Sequence, residues 1–225
     1  MTGQQPQSSA AIEDTGLIAV LRGIAPSQAG DVVDALLAAG VTAIEFTADS
    51  PDALAVLRRE TQRVGDQSVI GVGTVRDRET AQNAIEAGAT FVVTPTVETE
   101  VINVCTEQSV PVIAGAFTPT EAVGAAKAGA DMIKIFPAST GGPAHLRAIG
   151  GPLPELSLVP TGGVTVETAG EYIANGASAV GIGSSLVPEG VLEEERYEQI
   201  ERRASNALEN VQEARATDSG GTSDA

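Results

Sequence analysis

The 225-residue chain is long enough for one domain with a large core, and that core has to be aliphatic because only 3% of the residues are aromatic. Its 30 acidic and 13 basic residues give a formal net charge of −17, which argues against nucleic acid and anionic membrane surfaces as partners. No apolar run is long enough to cross a membrane, and the polar N-terminus lacks the features of a signal peptide, so we expect a cytoplasmic protein.

Short apolar runs alternate with helical patterns along the chain. Residues 1–9 are predicted to be disordered and residues 10–15 to form a short helix. The apolar runs predict eight strands, at Leu17–Leu21, Val41–Thr47, Val69–Val72, Phe91–Thr94, Val110–Ala114, Met132–Phe136, Leu156–Pro160 and Ala179–Ile182. Helical patterns follow these runs, from Pro26 to Gly40, from Ser50, from Arg76 to Ala87, from Val97 to Gln108, from Thr118, from Pro143 to Ile149, from Val164 to Asn175 and from Leu192 to Arg215. Ser50 is predicted to cap the second of these helices, with Pro51 at its first position. Residues 216–225 are predicted to be a disordered tail.

Four of the helical patterns end in the same way. A glycine lies at the predicted C′ position just before a strand, at Gly40, Gly88, Gly129 and Gly176. Successive glycines are separated by about two strand–helix units. The chain contains eight strand–helix units in all, which predicts a (β/α)8 TIM barrel over residues 10–215. The alternative is an open doubly wound sheet, but no Gly-x-Gly-x-x-Gly follows the first strand.

A lysine lies inside the sixth predicted strand. Lys134 is flanked by Ile133 and Ile135, where burial disfavours the charged ammonium form, and the neutral amine is the form that attacks a ketone. The only other lysine is Lys127, and an acidic, lysine-poor composition is typical of proteins from a high-salt cytoplasm. The retention of Lys134 in an apolar strand therefore favours a chemical role. A structural lysine in an ion pair is the alternative.

Glu45 is the matching candidate for proton transfer. It lies between Ile44 and Phe46 in the second strand, where burial should raise its pKa. Strands two and six are opposite each other in a ring about 15 Å across, so an inward Glu45 and an inward Lys134 would nearly meet around a small keto acid. A buried amine facing a carboxyl group is the minimum for imine chemistry. A structural ion pair of Glu45 with Lys134 or Arg22 is the alternative.

Three more polar residues lie at or near the C-terminal ends of predicted strands, where TIM barrels carry their active sites. They are Arg22, Thr47 and Thr74.

Two glycine-containing turns follow the last two strands. Gly162 and Gly163 follow strand seven, and Gly183 and Ser184 follow strand eight. TIM barrels often bind phosphate at these loops through backbone N–H groups and a helix N-terminus. No basic residue is near them in the sequence, so we expect the amides and the helix dipole to suffice. Simple turns are the alternative.

The remaining conspicuous residues suggest no metal site. No Cys, His and Asp residues have metal-ligand spacing, so we expect no metal and no other cofactor. The single histidine, His145, is predicted to be a surface or packing residue, and the single cysteine, Cys105, is predicted to be a small core residue of a helix. Phe136 either contacts a substrate or fills the barrel.

Evenly spaced motifs run between Leu17 and Pro188. They are Ile44-Glu45, Gly71-Val72-Gly73-Thr74-Val75, Thr94-Pro95, Lys134-Ile135-Phe136-Pro137-Ala138, Thr161-Gly162-Gly163-Val164 and Gly183-Ser184. Together they resemble the 2-keto-3-deoxy-6-phosphogluconate and 2-keto-3-deoxy-6-phosphogalactonate aldolases. The resemblance implies a cofactor-free class I aldolase, usually a homotrimer, that reversibly forms pyruvate and glyceraldehyde 3-phosphate from a phosphorylated keto-deoxy sugar acid. It also implies a place in an Entner–Doudoroff or De Ley–Doudoroff type pathway.

The resemblance also implies roles for individual residues. Lys134 would form the Schiff base and Glu45 would be the general acid and base. Arg22 and Thr74 would hold the pyruvyl end. The implied phosphate-binding residues are Gly162, Gly163, Gly183 and Ser184, and the other implied substrate contacts are Thr47, Pro95, Phe136 and Thr161.

The chain mixes features of two subtypes within this family. Asp49 lies where gluconate-type members carry an arginine, and Arg22 is the candidate to replace that cation. Thr161 resembles the gluconate type, whose threonine touches the sugar hydroxyls, whereas Arg22 and Ser50-Pro51 resemble the galactonate type. The preference between the two epimers stays open, and activity on both is an expectation.

Two other functions remain as alternatives. One is a non-covalent phosphate-binding barrel synthase or isomerase, in which Lys134 stabilises negative charge. The other is a phospho-sugar binding protein without catalytic activity.

Overall fold

The apolar runs form parallel strands in the computed structural model, which describes residues 7–188 and 190–219. The strands are β1 (Leu17–Leu21), β2 (Ala43–Thr47), β3 (Val69–Gly73), β4 (Val92–Val93), β5 (Val112–Ala116), β6 (Met132–Ile135), β7 (Leu158–Pro160) and β8 (Val180–Ile182). They pair in the order β7-β6-β5-β4-β3-β2-β1-β8. The ends of this sheet meet where Thr161 bridges Gly181 and Ser178 N–H donates to Leu158 O at 2.9 Å. The predicted TIM barrel is confirmed, and the open sheet is excluded.

Helices alternate with these strands around the outside of the barrel. They are α1 (Gln7–Thr15), α2 (Ala29–Ala38), α3 (Ala53–Val64), α4 (Arg78–Glu86), α5 (Thr99–Glu107), α6 (Pro119–Ala128), α7 (Ala138–Gly150), α8 (Ala169–Ala174) and α9 (Tyr197–Ser219). The four predicted C′ glycines, Gly40, Gly88, Gly129 and Gly176, all have φ between 90° and 107°. Thr118 and Glu121 form a capping box at the start of α6, with Pro119 at the first helical position.

The predicted start of α3 is wrong. The helix begins at Ala53 with Asp52 as its N-cap, rather than at Pro51 with Ser50 as the cap. The Ser50 hydroxyl accepts a hydrogen bond from Gly23 N–H at 2.8 Å and lies 2.9 Å from Thr47 Oγ1. It therefore connects the loop after β1 to the loop after β2 and does not cap a helix.

The helices at both ends extend into segments that were predicted to be disordered. Helix α1 begins at Gln7 and α9 continues to Ser219, so residues 7–9 and 216–219 are helical. The rest of the predicted disordered segments, residues 1–6 and 220–225, lies outside the described residues.

Helix α7 begins five residues earlier than predicted, with a kink at Gly142, where φ is 69°.

Side chains alternate between the inside and the outside of the barrel. One buried cluster combines inward residues from around the ring, namely Ile18, Ala43, Phe91, Val93, Ile113, Met132, Val159 and Ala179, together with Ile12 of α1. The residues between them, such as Ile44, Ile133 and Leu158, join the larger cluster under the helices. The inner cluster lies toward the N-terminal ends of the strands. Because Ile12 of α1 belongs to this cluster, α1 covers that end of the barrel. In each strand, the residue two positions after the inner-cluster residue also points inward, near the C-terminal end of the strand. The C-terminal ends of the strands together form the C-terminal rim of the barrel.

Two arginines surround a buried carboxylate in the helical layer. Glu60 is 1% exposed, and its two oxygens lie 2.7 Å from Arg59 Nε and 2.7 Å from Arg63 Nε. Arg59 also donates to Pro26 O at 2.7 Å, and Arg63 is paired with Asp34 at 2.6 Å. This ion-pair group joins α3 to α2 and the loop before it.

Within the described residues, no helix is both long and apolar enough to cross a membrane.

Candidate active site

Lys134 points into the barrel from β6. It lies two residues after the inward Met132 and is 6% exposed, with Nζ 5.1 Å from the centre of the Phe136 ring. None of the six ion pairs found among the described residues includes Lys134. The structural ion pair with Glu45, which the sequence left open, is therefore not formed. Phe136 itself is 38% exposed at the C-terminal rim.

Glu45 points into the same space from the opposite wall. It is 2% exposed, and Oε1 is buried without a hydrogen-bond partner. The side chain lies across Gly73 of β3, where any Cβ would overlap Oε1. Burial raises the pKa of Glu45, as expected, while the charges of Lys134 and Arg22 oppose the rise and Asp49 adds to it. The site thus favours the protonated form of Glu45 and leaves its buried Oε1 without a hydrogen bond.

Arg22 occupies the C-terminal rim between three loops. Its Nη1 is ion-paired with Asp49 Oδ2, and its Nη2 donates to Thr74 Oγ1 at 3.0 Å. Thr74 has a φ of 60°, a conformation that a β-branched residue adopts only at an energetic cost. Asp49 is therefore ion-paired with Arg22, the cation that was expected to bind the substrate carboxylate.

Pro95 lies over the strand beside Lys134. A Cβ at Gly115, which is paired in register with Lys134, would overlap the Pro95 carbonyl group. Thr94 fixes this approach, because its hydroxyl accepts from Gly115 N–H at 3.2 Å and donates to Thr96 O at 2.6 Å. No role of Thr94 or Gly115 was predicted from the sequence. A glycine within an apolar strand was the available signal, since it often marks a close backbone approach.

The loop after β7 packs against the start of α7. Gly162 has a φ of 88°, and its carbonyl accepts from Ser139 N–H at 3.0 Å. A Cβ at Gly162 would lie 2.8 Å from the Phe136 ring, and one at Gly163 would overlap Ser139 Oγ. The side chain of Thr161 is buried near Gly181, with its hydroxyl donating to Val159 O at 3.3 Å.

The loop after β8 borders a cleft of about 380 Å³. Gly183 and Ser184 line this cleft together with Arg22. The expectation that no basic residue lies near these glycines is therefore wrong for the loop after β8, because Arg22 follows β1 and β1 pairs with β8. Ser185 Oγ accepts from Val166 N–H at 3.0 Å and so connects the two glycine-containing loops. Among the described residues between β8 and α9 there are turns and no helix.

His145, Cys105 and Thr47 are buried or packed against neighbouring residues. The Nε2–H of His145 donates to Phe117 O at 2.8 Å, and its ring stacks on that of Phe117 with centres 4.7 Å apart. Cys105 is buried, and burial raises the pKa of its thiol to about 12. Thr47 is buried beside Ser50. Within the described residues, no three or more His, Cys, Asp and Glu side chains group in a way that could hold a metal.

Comparison with known proteins gives consistent matches over most of the chain. The family described as "Aldolase: KDPG and KHG aldolase" matches residues 9–203. A Rhizobium meliloti protein named "Probable 2-dehydro-3-deoxy-6-phosphogalactonate aldolase" is 39% identical over 78% of this chain and 83% of its own length. A Pseudomonas aeruginosa "2-dehydro-3-deoxy-phosphogluconate aldolase" is 37% identical over 82% and 84%.

Solved structures agree with these matches. The structure titled "Native KDPGal structure" has a TM-score of 0.84 at 34% identity and covers 89% of this chain and 96% of its own. The KDPG aldolase of Legionella pneumophila, solved with pyruvate captured as a covalent carbinolamine intermediate, has a TM-score of 0.83 at 27% identity. It covers 92% of this chain and 99% of its own.

The unsatisfied Glu45 carboxyl should destabilise the fold. Its pKa is raised above the ordinary value of 4.5, so over the interval between the two values the folded chain keeps a proton that the unfolded chain has lost. The free energy of unfolding therefore falls as pH rises through that interval. The substitution Glu45→Gln removes this titration. We expect the variant to gain stability relative to wild type as pH rises above 4.5 in chemical denaturation.

Glu60→Gln is the matched control, because Glu60 is equally buried but has two arginine partners. It should lose about 1–3 kcal/mol at neutral pH, since both guanidinium groups lose their carboxylate. A Glu45→Gln stability gain that is absent, or that shrinks as pH rises, would contradict the assignment of Glu45 as a destabilised acid.

Proposed function

The chain belongs to the KDPG and KHG aldolase family, and on that premise we propose which reaction it performs and which residues perform it. It is a class I aldolase that reversibly cleaves 2-keto-3-deoxy-6-phosphogluconate, 2-keto-3-deoxy-6-phosphogalactonate or both to pyruvate and glyceraldehyde 3-phosphate. The observation that carries the residue assignment is that two inward side chains of the same barrel lack partners. Within the described residues Lys134 forms no ion pair, and Glu45 Oε1 is buried without a hydrogen-bond partner.

Lys134 is the nucleophile in this proposal. Its neutral Nζ attacks the C2 carbonyl to form a carbinolamine, and loss of water gives an iminium ion. The C3–C4 bond then breaks, its electron pair forms an enamine with the iminium, and C4 leaves as the aldehyde. Protonation of the enamine at C3 and hydrolysis of the imine release pyruvate and regenerate the amine.

Glu45 moves the protons between these steps. As an acid it protonates the departing hydroxyl of the carbinolamine, and as a base it accepts the proton of the C4 hydroxyl during cleavage. It then returns a proton to C3 of the enamine. A carboxyl whose pKa is raised by burial suits proton transfer in both directions, and its buried Oε1 has no competing hydrogen bond within the described residues.

The two anionic ends of the substrate are held at the C-terminal rim. Arg22 and Thr74 bind the carboxylate of the pyruvyl unit, close to Glu45. The phosphate lies against the backbone N–H groups of the loops after β7 and β8 and the Ser184 hydroxyl. Arg22 also borders that second cleft, so one cation is near both anions.

The structure favours this covalent mechanism over the two alternatives. A non-covalent synthase has a structural parallel in 3-hexulose-6-phosphate synthase of Salmonella typhimurium, but at 14% identity and a TM-score of 0.71 this is a likeness of fold only. A binding protein has no use for a buried carboxyl group that lacks a partner, because such a group costs free energy.

Reduction with borohydride in the presence of pyruvate tests the imine. We expect a reduced pyruvate adduct on the peptide that contains Lys134, detected by mass spectrometry, and no adduct in Lys134→Ala. Lys127→Ala is the matched control, because Lys127 is an exposed residue of α6 and the only other lysine. It should label like wild type. Absence of an adduct in wild type, or an adduct on Lys127, would reject the mechanism.

We further propose that both C4 epimers are cleaved, because the chain combines Thr161 with the Arg22–Asp49 pair. Thr161→Val keeps the shape of the side chain but removes the hydroxyl. It should lower kcat/KM for the gluconate epimer about 3- to 10-fold, the value of one neutral hydrogen bond, and leave the galactonate epimer within about 2-fold. Assays of both epimers side by side measure this ratio, and an equal loss for both would contradict the role of Thr161.

The family resemblance suggests an assembly, and the composition suggests the medium in which it works. We propose a cytoplasmic homotrimer in an Entner–Doudoroff or De Ley–Doudoroff type pathway, adapted to molar salt, since a net charge of −17 is self-repulsive in dilute buffer. Light scattering in about 2 M KCl should give three times the chain mass, with loss of trimer and activity in dilute buffer. A monomer in high salt would contradict the proposed trimer, and full activity without salt would contradict the proposed adaptation to salt.

A further inference from the structure

The two terminal nitrogens of Arg22 are held by different loops. Nη1 is ion-paired with Asp49 in the loop after β2, and Nη2 donates to the Thr74 hydroxyl after β3 at 3.0 Å. The side chains of Arg22 and Asp49 are 58% and 49% exposed, so a ligand entering from the rim reaches both. Two nitrogens of the guanidinium are thus assigned partners, while a guanidinium has five N–H donors in total.

The backbone around Asp49 is fixed on both sides. Ala48 N–H donates to Gly73 O at 2.8 Å and so extends the pairing of β2 with β3. On the other side, the Ser50 hydroxyl contacts Thr47 at 2.9 Å and accepts from Gly23 N–H at 2.8 Å. Gly23 directly follows Arg22 in the chain. The carboxylate and the guanidinium are therefore presented to each other by two connected loops.

The Arg22 side chain also borders a second possible anion site. It lines the cleft that also contains Gly183 and Ser184, on the side of β8, while Asp49 and Thr74 lie on the side of β2 and β3. A long arginine side chain without a partner would be free to turn toward an anion in that cleft. The ion pair and the hydrogen bond hold it on the side where Glu45 lies.

We propose that Asp49 is a positioning residue, which holds Arg22 against Thr74 so that the remaining guanidinium N–H groups meet the carboxylate of the pyruvyl unit. The inference rests on the proposed function, because it requires a keto acid bound at Lys134. The inference explains why Asp49 is acidic. Arg22, in the loop after β1, binds the substrate carboxylate, and the Asp49 carboxylate, in the loop after β2, holds Arg22 in place.

The charges around Glu45 support this assignment. Lys134, Arg22 and Asp49 are the charged groups that act on it, and of these only Asp49 raises its pKa. Removing the Asp49 charge would leave the Arg22 charge uncompensated, which should move the acidic limb of the pH–rate profile to lower pH.

The test uses Asp49→Asn, with Asp52→Asn as the matched control. Asp52 is an exposed residue three positions later whose side chain makes no capping hydrogen bond, so its substitution removes the same charge from the same loop. The readout is the pyruvate concentration for half-maximal borohydride labelling of Lys134. We expect it to rise about 5- to 20-fold in Asp49→Asn, the loss of about one charge-assisted hydrogen bond, and to stay within about 2-fold in Asp52→Asn.

A double-mutant cycle shows whether Asp49 acts through Arg22. In an Arg22→Ala background, Asp49→Asn should change the half-maximal pyruvate concentration by less than about 2-fold, because the group it positions is gone. Asp49→Glu, which keeps the carboxylate, should recover part of the affinity. Inhibition by inorganic phosphate should not weaken in Asp49→Asn, which shows that the loops after β7 and β8 are intact.

Three results would overturn the inference while wild type still labels at Lys134. One is an Asp49→Asn enzyme that matches Asp52→Asn. Another is tighter pyruvate binding in Asp49→Asn, which would mean that Asp49 competes with the substrate for Arg22. The third is an undiminished effect of Asp49→Asn in the Arg22→Ala background. Failure of wild type to label rejects the proposed function itself and is thereby distinguished from these results.

Discussion

The site depends on a carboxyl group and an amine that face each other inside a closed ring of strands, each without the partner that would neutralise it. Glu45 has a buried oxygen with no hydrogen bond, and Lys134 has no counter-ion within the described residues. Neighbouring glycines make this possible, because a side chain at Gly73 would displace Glu45 and one at Gly115 would displace the backbone of Pro95. The unmet bonding capacity of the pair is what a keto acid can satisfy.

The free-energy cost of this arrangement is confined to one end of the barrel. The C-terminal rim contains the desolvated Glu45 and the unfavourable backbone conformation of Thr74. The opposite end is apolar and closed by Ile12 of α1, while Arg215 of α9 donates to Glu13 O at 2.6 Å and Ser178 O at 2.9 Å. Stability and chemistry are therefore assigned to different ends of the same strands, as the fold class leads one to expect.

Local patterns in the sequence predicted the barrel and the two central residues. Because side chains alternate along a strand, the sequence alone places a lysine and a glutamate within apolar runs inside the ring. What the sequence did not indicate are contacts between distant loops. The Ser50 hydroxyl bonds to the loop after β1 instead of capping α3, Arg22 reaches the β8 cleft because the ring closes, and Glu60 is buried between two arginines. Such contacts depend on closure and register, which no local pattern contains.

Exchange of the pyruvate methyl protons for deuterium, followed by NMR in D2O, tests the pairing of Lys134 and Glu45 most directly. The account predicts that wild type exchanges these protons through the enamine, because Lys134 forms the imine and Glu45 carries the proton to and from C3. Glu45→Gln should still form the imine but exchange about 10²- to 10⁴-fold more slowly. Exchange at the wild-type rate in Glu45→Gln would contradict the account, because another group would then be moving the proton.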